Sequence, residues 1–327
     1  MIESYGFSMT GRSHQSAGLP CQDSHSIVRT DREWVIAAAA DGVGSAGNSG
    51  KGSRIAVESV TAFCARYLPW DESVIGIKSM LRTAFNHAFG SILKESERTG
   101  NPIESYDTTL SVVLYDGHQV IFGHSGDGGI IGLSSSGEYM PLTRPQKGED
   151  GISVIPLRAG YTRWVIDRYD GELAGVLILT DGMLDIISPG LLRNADDFGN
   201  GIYVSLASFF GDPEGFDGSE EELRELKHKI KSFIRSDGGD TEDIFRERMG
   251  KVYRKRVPKA GKRLCRELKD TNNPCALMQG VQDDKTVVGL INTDADIGRK
   301  EAGYYAEPDW IRLKDEWNRK AYPQLFE

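Results

Sequence analysis

Two spacings of apolar residues organise the first third of the chain. Residues 24–29 and 34–40 are short apolar runs split by the polar turn Thr30-Asp31-Arg32-Glu33, which predicts two strands. A glycine-rich stretch over 42–52, expected to be a loop, follows them. Then Ala56, Val60, Phe63, Cys64, Tyr67 and Leu68 recur at helical spacing until Pro69 stops the helix. Val74, Ile77, Leu81, Phe85, Ala88 and Ile92 mark one face of a second helix, with Gly100 past its end.

The middle of the chain is β-rich. Residues 111–115 and 119–123 are joined through Asp116-Gly117, a hairpin signal. A second hairpin is expected between 130–133 and 138–142. The run 176–179 is continuously apolar, as in a strand buried on both faces, and 286–291 is the last clear strand. No repeat is present. Strand hairpins with two long helices between them predict an α+β layered fold rather than a parallel βαβ array.

Between the last two strands the apolar pattern gives way to charge. Residues 212–225 carry seven acids and one base, whereas 251–269 carry nine bases and one acid. The expected organisation is a main domain over 1–293, a charged, mostly helical insert at about 212–275, and a C-terminal extension over 294–327. The two charge runs are read as partners, or the basic one as a docking surface.

Composition narrows the function classes. A chain of 327 residues with 39% hydrophobic content can bury a full core. The formal net charge of −9 disfavours non-specific nucleic-acid binding and suits the collection of divalent cations. No run approaches the roughly 20 apolar residues that span a bilayer. The opening residues lack the pattern of a signal peptide. Cys21, Cys64, Cys265 and Cys275 form no CxxC pair, so free thiols and a cytoplasmic location are expected.

Aspartate beside glycine or a small polar residue recurs at predicted strand ends. The motifs are Cys21-Gln22-Asp23, Ala40-Asp41-Gly42, Ser125-Gly126-Asp127-Gly128, Thr180-Asp181-Gly182 and Asp283-Asp284-Lys285-Thr286. Asp-Gly is also a common turn dipeptide. Two of the motifs, however, follow the strongly apolar runs VIAAAADG and VLILTDG, where a surface turn gains nothing from a buried approach. Converging carboxylates repel unless cations neutralise them. Hard oxygen donors favour magnesium or manganese over zinc. A pair of such ions, about 3.5–4 Å apart, activates a bridging water for in-line attack at phosphorus.

In order, QD, ADGVG, SYDTTL, GDG, LTDG and DDKT resemble the type 2C metal-dependent protein serine/threonine phosphatases, especially their bacterial branch. The opening GRSHQSAGLPCQD resembles one subgroup of that branch. The resemblance covers about residues 6–291. It implies a sandwich of two antiparallel β-sheets flanked by helices, with Mn2+ or Mg2+ at one edge. In that arrangement Asp41 bridges two ions and the Gly42 carbonyl binds one. Asp181 and Asp283 hold the other, Asp23 lies at the site, and Asp127 matches a third, weaker position. The implied partner is a phosphorylated protein substrate, with a cognate protein kinase, and neither nucleic acid nor membrane.

Departures from the family pattern leave some roles open. Val43 stands where many eukaryotic members have histidine, so the proton for the leaving group falls to a metal-held water, His14 or His124. Leu19-Pro20-Cys21 occupies the stretch that usually carries the phosphate-gripping arginine, and Arg12 or His14 is the substitute. Asp107-Thr108-Thr109 is expected to support the site from beneath. Residues 44–52 are not a phosphate-binding loop, because Gly50-Lys51 is followed by Gly52. Two other functions fit the fold: a catalytically silent interaction module, and a hydrolase of small phosphoesters.

Overall fold

A computed structural model describes residues 1–44, 46–195, 201–211, 283–306 and 308–326. The predicted insert at 212–275, with its basic run, Cys265 and Cys275, lies outside the described residues.

The run VIAAAA is buried at every position because it is an interior strand covered on both faces. Val35, Ala37 and Ala39 face one apolar cluster, and Ile36, Ala38 and Ala40 face another, as the two-residue strand period requires. This strand, β3 (Val35–Ala40), pairs with β2 (Ser24–Arg29) and β4 (Leu110–Tyr115). β4 pairs with β5 (Val120–Ser125), and β5 with a short edge strand over Val165–Arg168, β8.

A second sheet of five strands lies against the first. It runs β1 (Ile2–Met9), β10 (Lys285–Asn292), β9 (Leu173–Leu179), β6 (Gly129–Ser134) and β7 (Tyr139–Pro141). Every strand pairing in both sheets is antiparallel. Val113, Tyr115, Val120 and Phe122 of one sheet meet Val176, Ile178, Val288 and Leu290 of the other. Each of these large side chains, once buried, contributes roughly 1.5–3 kcal/mol.

Helices cover the two outer faces. α2 (Ser49–Tyr67) and α3 (Val74–Thr99) bury Ala56, Val60, Ile77, Leu81 and Phe85 against β3, β4 and β5. On the other side are α4 (Asp181–Ile187), α5 (Gly190–Arg193), α6 (Val204–Gly211) and α7 (Trp310–Ala321). Met183, Ile187, Phe210, Trp310 and Leu313 pack there on Tyr5, Phe7 and Leu177. The layers are therefore helix, sheet, sheet, helix. Part of the stretch read as a C-terminal extension supplies core residues to the outer helical layer.

The expected helices and hairpins are present, with one shift. α2 begins at Ser49, inside the stretch expected to be a loop. Its early glycines serve close packing. A Cβ on Gly52 would lie 2.1 Å from the carbonyl oxygen of Tyr106, so only glycine lets the helix start there. α3 ends as expected, with Gly100 in the left-handed conformation and its N–H returned to the Ser96 carbonyl.

No helix among the described residues is long and apolar enough to cross a membrane. Cys21 and Cys64 are both free.

Candidate metal centre

Antiparallel pairing brings the polar motifs to one edge. Ser24 lies opposite Ala40, Leu110 opposite Ser125, Gly129 opposite Leu179, Leu179 opposite Val287, and Met9 opposite Lys285. Asp23, Asp41, Asp127, Asp181 and Asp283 each follow or precede one of these strand ends and share that edge.

Three of the five lie within reach of a single ion. Carboxylate oxygens of Asp41, Asp127 and Asp181 all lie within 4.8 Å of one another. Asp41 is fixed from beneath. Its N–H donates to Thr109 Oγ1 at 2.9 Å, and its carbonyl accepts from the Thr109 N–H and the Thr108 hydroxyl, both at 2.8 Å. Gly42 pairs with Thr108 as a β-bridge. The supporting role read into Asp107-Thr108-Thr109 is thus visible in these bonds. Arg158 pairs with Asp107 and secures the segment from outside.

A hydroxyl relay sets Asp23. The Thr286 N–H donates to Thr180 Oγ1 at 2.9 Å, and the Thr180 hydroxyl donates to Asp23 Oδ2 at 2.7 Å. The other oxygen, Asp23 Oδ1, is buried and has no donor, and so is Asp127 Oδ1. Asp181 opens α4 and turns Oδ1 back to the Gly182 N–H at 2.7 Å. Gly182 also permits a close approach, since a Cβ there would sit 2.1 Å from the Asp284 carbonyl oxygen. That glycine interlocks the Thr180-Asp181-Gly182 and Asp283-Asp284 motifs.

The electrostatics are those of a cation site. Burial, then the charges of Asp23 and Asp181, pushes Asp41 well above the ordinary carboxylate range. Burial, then Asp127 and Asp283, does the same to Asp181. Burial raises Asp23 to about 7, and it also raises Asp283. Carboxyls held this way must bind protons or cations. The donors are all hard oxygens, two buried oxygens lack donors, and the three-carboxylate cluster is within reach of one ion. Divalent Mg2+ or Mn2+ therefore fits the residues present.

Arg12 and His14 ride on a short helix, α1 (Arg12–Ala17), that follows β1 at the same edge. A residue the sequence did not single out holds this helix. Asp284, 1% exposed, accepts from the Gly11 N–H at 2.6 Å and the Gln22 N–H at 2.6 Å, and its Oδ2 lies 2.9 Å from His14 Nδ1. It therefore ties α1, the Gln22-Asp23 motif and β10 together. The available signal was the doubled aspartate. Consecutive residues entering a strand point to opposite sides, so the pair serves two different neighbourhoods.

His124 does not share that surface. It is fully buried on β5, with Nδ1 2.9 Å from Ser111 Oγ, and burial lowers its pKa to about 4. It is neutral near pH 7 and enclosed in the sheet, so it is withdrawn as a proton donor. Lys147, also unmarked by the sequence, forms an ion pair with Asp127.

A family model described as Protein phosphatase 2C matches residues 10–227. Serine/threonine-protein phosphatase 3 of Escherichia coli (strain K12) is 26% identical over 147 residues, 43% of this chain and 57% of that protein. The chain thus matches little more than half the length of this curated relative.

Among solved structures, a bacterial serine phosphatase aligns with a TM-score of 0.54 at 11% identity, over 92% of this chain and all of that one. The serine/threonine phosphatase Stp1 of Staphylococcus aureus aligns with a TM-score of 0.50 at 12% identity, over 89% of this chain and 95% of that one. These likenesses establish the two-sheet fold. The family match covers well over half of the residues, and the chain belongs to the protein phosphatase 2C family.

Proposed function

We propose that the protein is a divalent-metal-dependent phosphatase that removes phosphate from phosphoserine and phosphothreonine in proteins. The observation that carries this reading is the convergence of Asp41, Asp127 and Asp181 within 4.8 Å at the common edge of two sheets. Asp23, Asp41, Asp127, Asp181, Asp283 and the Gly42 carbonyl are the groups proposed to hold Mn2+ or Mg2+. Ions bound there supply an activated water and neutralise charge on the phosphoryl group.

The chain's own residues perform the remaining tasks. His14 is proposed to donate the proton that the serine or threonine oxygen needs as its bond to phosphorus breaks. Asp284 accepts from Nδ1–H and so orients the ring; the imidazolium form, protonated at both nitrogens, is the one whose Nε2 proton goes to the leaving oxygen. Asp284 acts through His14 and is a positioning residue. Arg12, two residues earlier on α1, is proposed to grip phosphate, because a guanidinium matches its oxygens in a bidentate fork. The proposed setting is the cytoplasm, with a phosphorylated protein as substrate and its kinase as counterpart. The free Cys21 supports this reading.

Leaving-group chemistry tests the assignment. An alkoxide leaves only with a proton, whereas an aryl oxide leaves without one. His14→Ala is therefore expected to slow phosphate release from a phosphothreonine peptide by about 10²-fold or more. Release from an aryl phosphate in the same manganese buffer should stay within a few-fold of native. Equal losses on both substrates would remove His14 as the proton donor. Turnover of the aryl phosphate but of no phosphopeptide would favour the small-phosphoester reading instead.

A further inference from the structure

The acidic cluster carries a positive charge of its own. Lys147 Nζ pairs with Oδ2 of Asp127, the carboxylate whose Oδ1 has no donor. Asp127 is 2% exposed, whereas the Lys147 side chain is 40% exposed, so the ammonium enters from solvent.

The loop that delivers Lys147 is fastened to the turn it serves. The Gln146 N–H donates to the Gly126 carbonyl at 2.7 Å, and the Gly126 N–H donates to Gln146 Oε1 at 3.1 Å. Gln146 Nε2 donates to the Arg163 carbonyl at 2.9 Å. Lys147 itself forms an antiparallel bridge with Val154. The backbone of residue 147 is thereby fixed beside Asp127, while its side chain remains 40% exposed to solvent.

We propose that Lys147 is a tethered cation that competes with a divalent ion for Asp127, so that seating or release of this lysine sets how readily the cluster fills. The inference rests on the reading that the cluster takes divalent ions, and extends it to how that loading is controlled. An ion using both Asp127 oxygens must displace the ammonium. Displacement is feasible because the lysine head is strongly hydrated and already near water. If Lys147 is seated nine-tenths of the time, an ion that needs Asp127 binds about tenfold more weakly than it would to the open cluster.

Calorimetric titration with Mn2+ tests this on the full chain. Lys147→Gln and Lys147→Met are expected to strengthen the weakest binding step about tenfold. Lys147→Arg should leave it near the native value. In an Asp127→Asn background, adding Lys147→Gln should change nothing. Thermal unfolding of each variant verifies the fold, and the glutamine keeps a donor should the methionine prove unstable. Native-like affinity and stoichiometry in both neutral variants would overturn the competition. A native protein that binds no Mn2+ would instead overturn the metal reading itself, so the two failures are distinguishable.

Discussion

Asp41→Asn and Asp181→Asn are each expected to lower kcat for phosphate release by about 10³-fold or more, close to 4 kcal/mol of transition-state stabilisation. Both side chains sit in the cluster where oxygens approach within 4.8 Å, and both end strands that packing holds rigidly. Asparagine has nearly the same shape, so the hydrogen bonds of the Asp41 backbone to Thr108 and Thr109 are kept. It removes a carboxylate whose charged form burial and neighbouring acids disfavour. The metal-free variants should therefore unfold at the native temperature or above it near pH 7, while losing activity. Loss of activity together with lost stability would mark a folding defect. Retention of activity within tenfold would remove these carboxylates from the chemistry.

Without metal, stability is expected to fall as pH rises above about 6.5. The sign follows from proton binding in the two states. Asp23 keeps its proton up to about 7 in the folded chain, and burial and neighbouring acids raise Asp41 and Asp181 well above the ordinary carboxylate range. In the unfolded chain these groups ionise near 4. Between those limits the folded state holds more protons, so raising pH favours unfolding. Each such group contributes about 1.4 kcal/mol per pH unit until its folded pKa is passed.

Two histidines, the half-buried His25 and the fully buried His124, act in the opposite direction at lower pH. His25 and His124 titrate near 4 when folded and near 6.5 when unfolded, so between those values rising pH favours folding. Above about 6.5 their effect is spent, and the raised carboxyls lower stability as pH rises. Thermal unfolding at pH 6.5, 7.0 and 8.5 in chelator should show the drop as pH rises through about 7, where Asp23 loses its proton. Added Mn2+ should raise the unfolding temperature more at pH 8.5 than at 6.5, because binding then displaces fewer protons. A metal-free protein that gains stability across this range would contradict the burial of these carboxyls as charged neighbours.

The elements readable from sequence are those whose pattern repeats within a few residues. α3 shows its apolar face at Ile77, Leu81, Phe85 and Ala88, and its end at Gly100. β3 and β9 show the unbroken apolar runs of strands covered on both sides. β1 escapes notice because only Ile2, Tyr5 and Phe7 of its eight residues are buried, at spacings that break the two-residue period, and its partner strand begins at Lys285. α1 has no apolar stripe among its six residues, and β8 is four residues long with one buried side chain. α4 escapes notice because it is seven residues long and only Thr180-Asp181-Gly182 separates its apolar positions from the run of β9.

The same distinction governs the site. Asp23, Asp41, Asp127, Asp181 and Asp283 stand out because each sits in a short motif beside a strand end. The Asp284 clamp joins residues 270 positions apart, from His14 to the start of β10, and no local spacing reports such a contact. Lys147 lies 20 residues beyond Asp127 in an irregular loop, where one lysine resembles any other.

The carboxylate cluster is expected to bind divalent ions. Anomalous diffraction from crystals grown in Mn2+ tests it most directly. The expected result is strong anomalous density among Asp41, Asp127 and Asp181, lost in crystals of Asp41→Asn. An anomalous map with no peak among these carboxylates, at Mn2+ concentrations that support phosphate release, would contradict it.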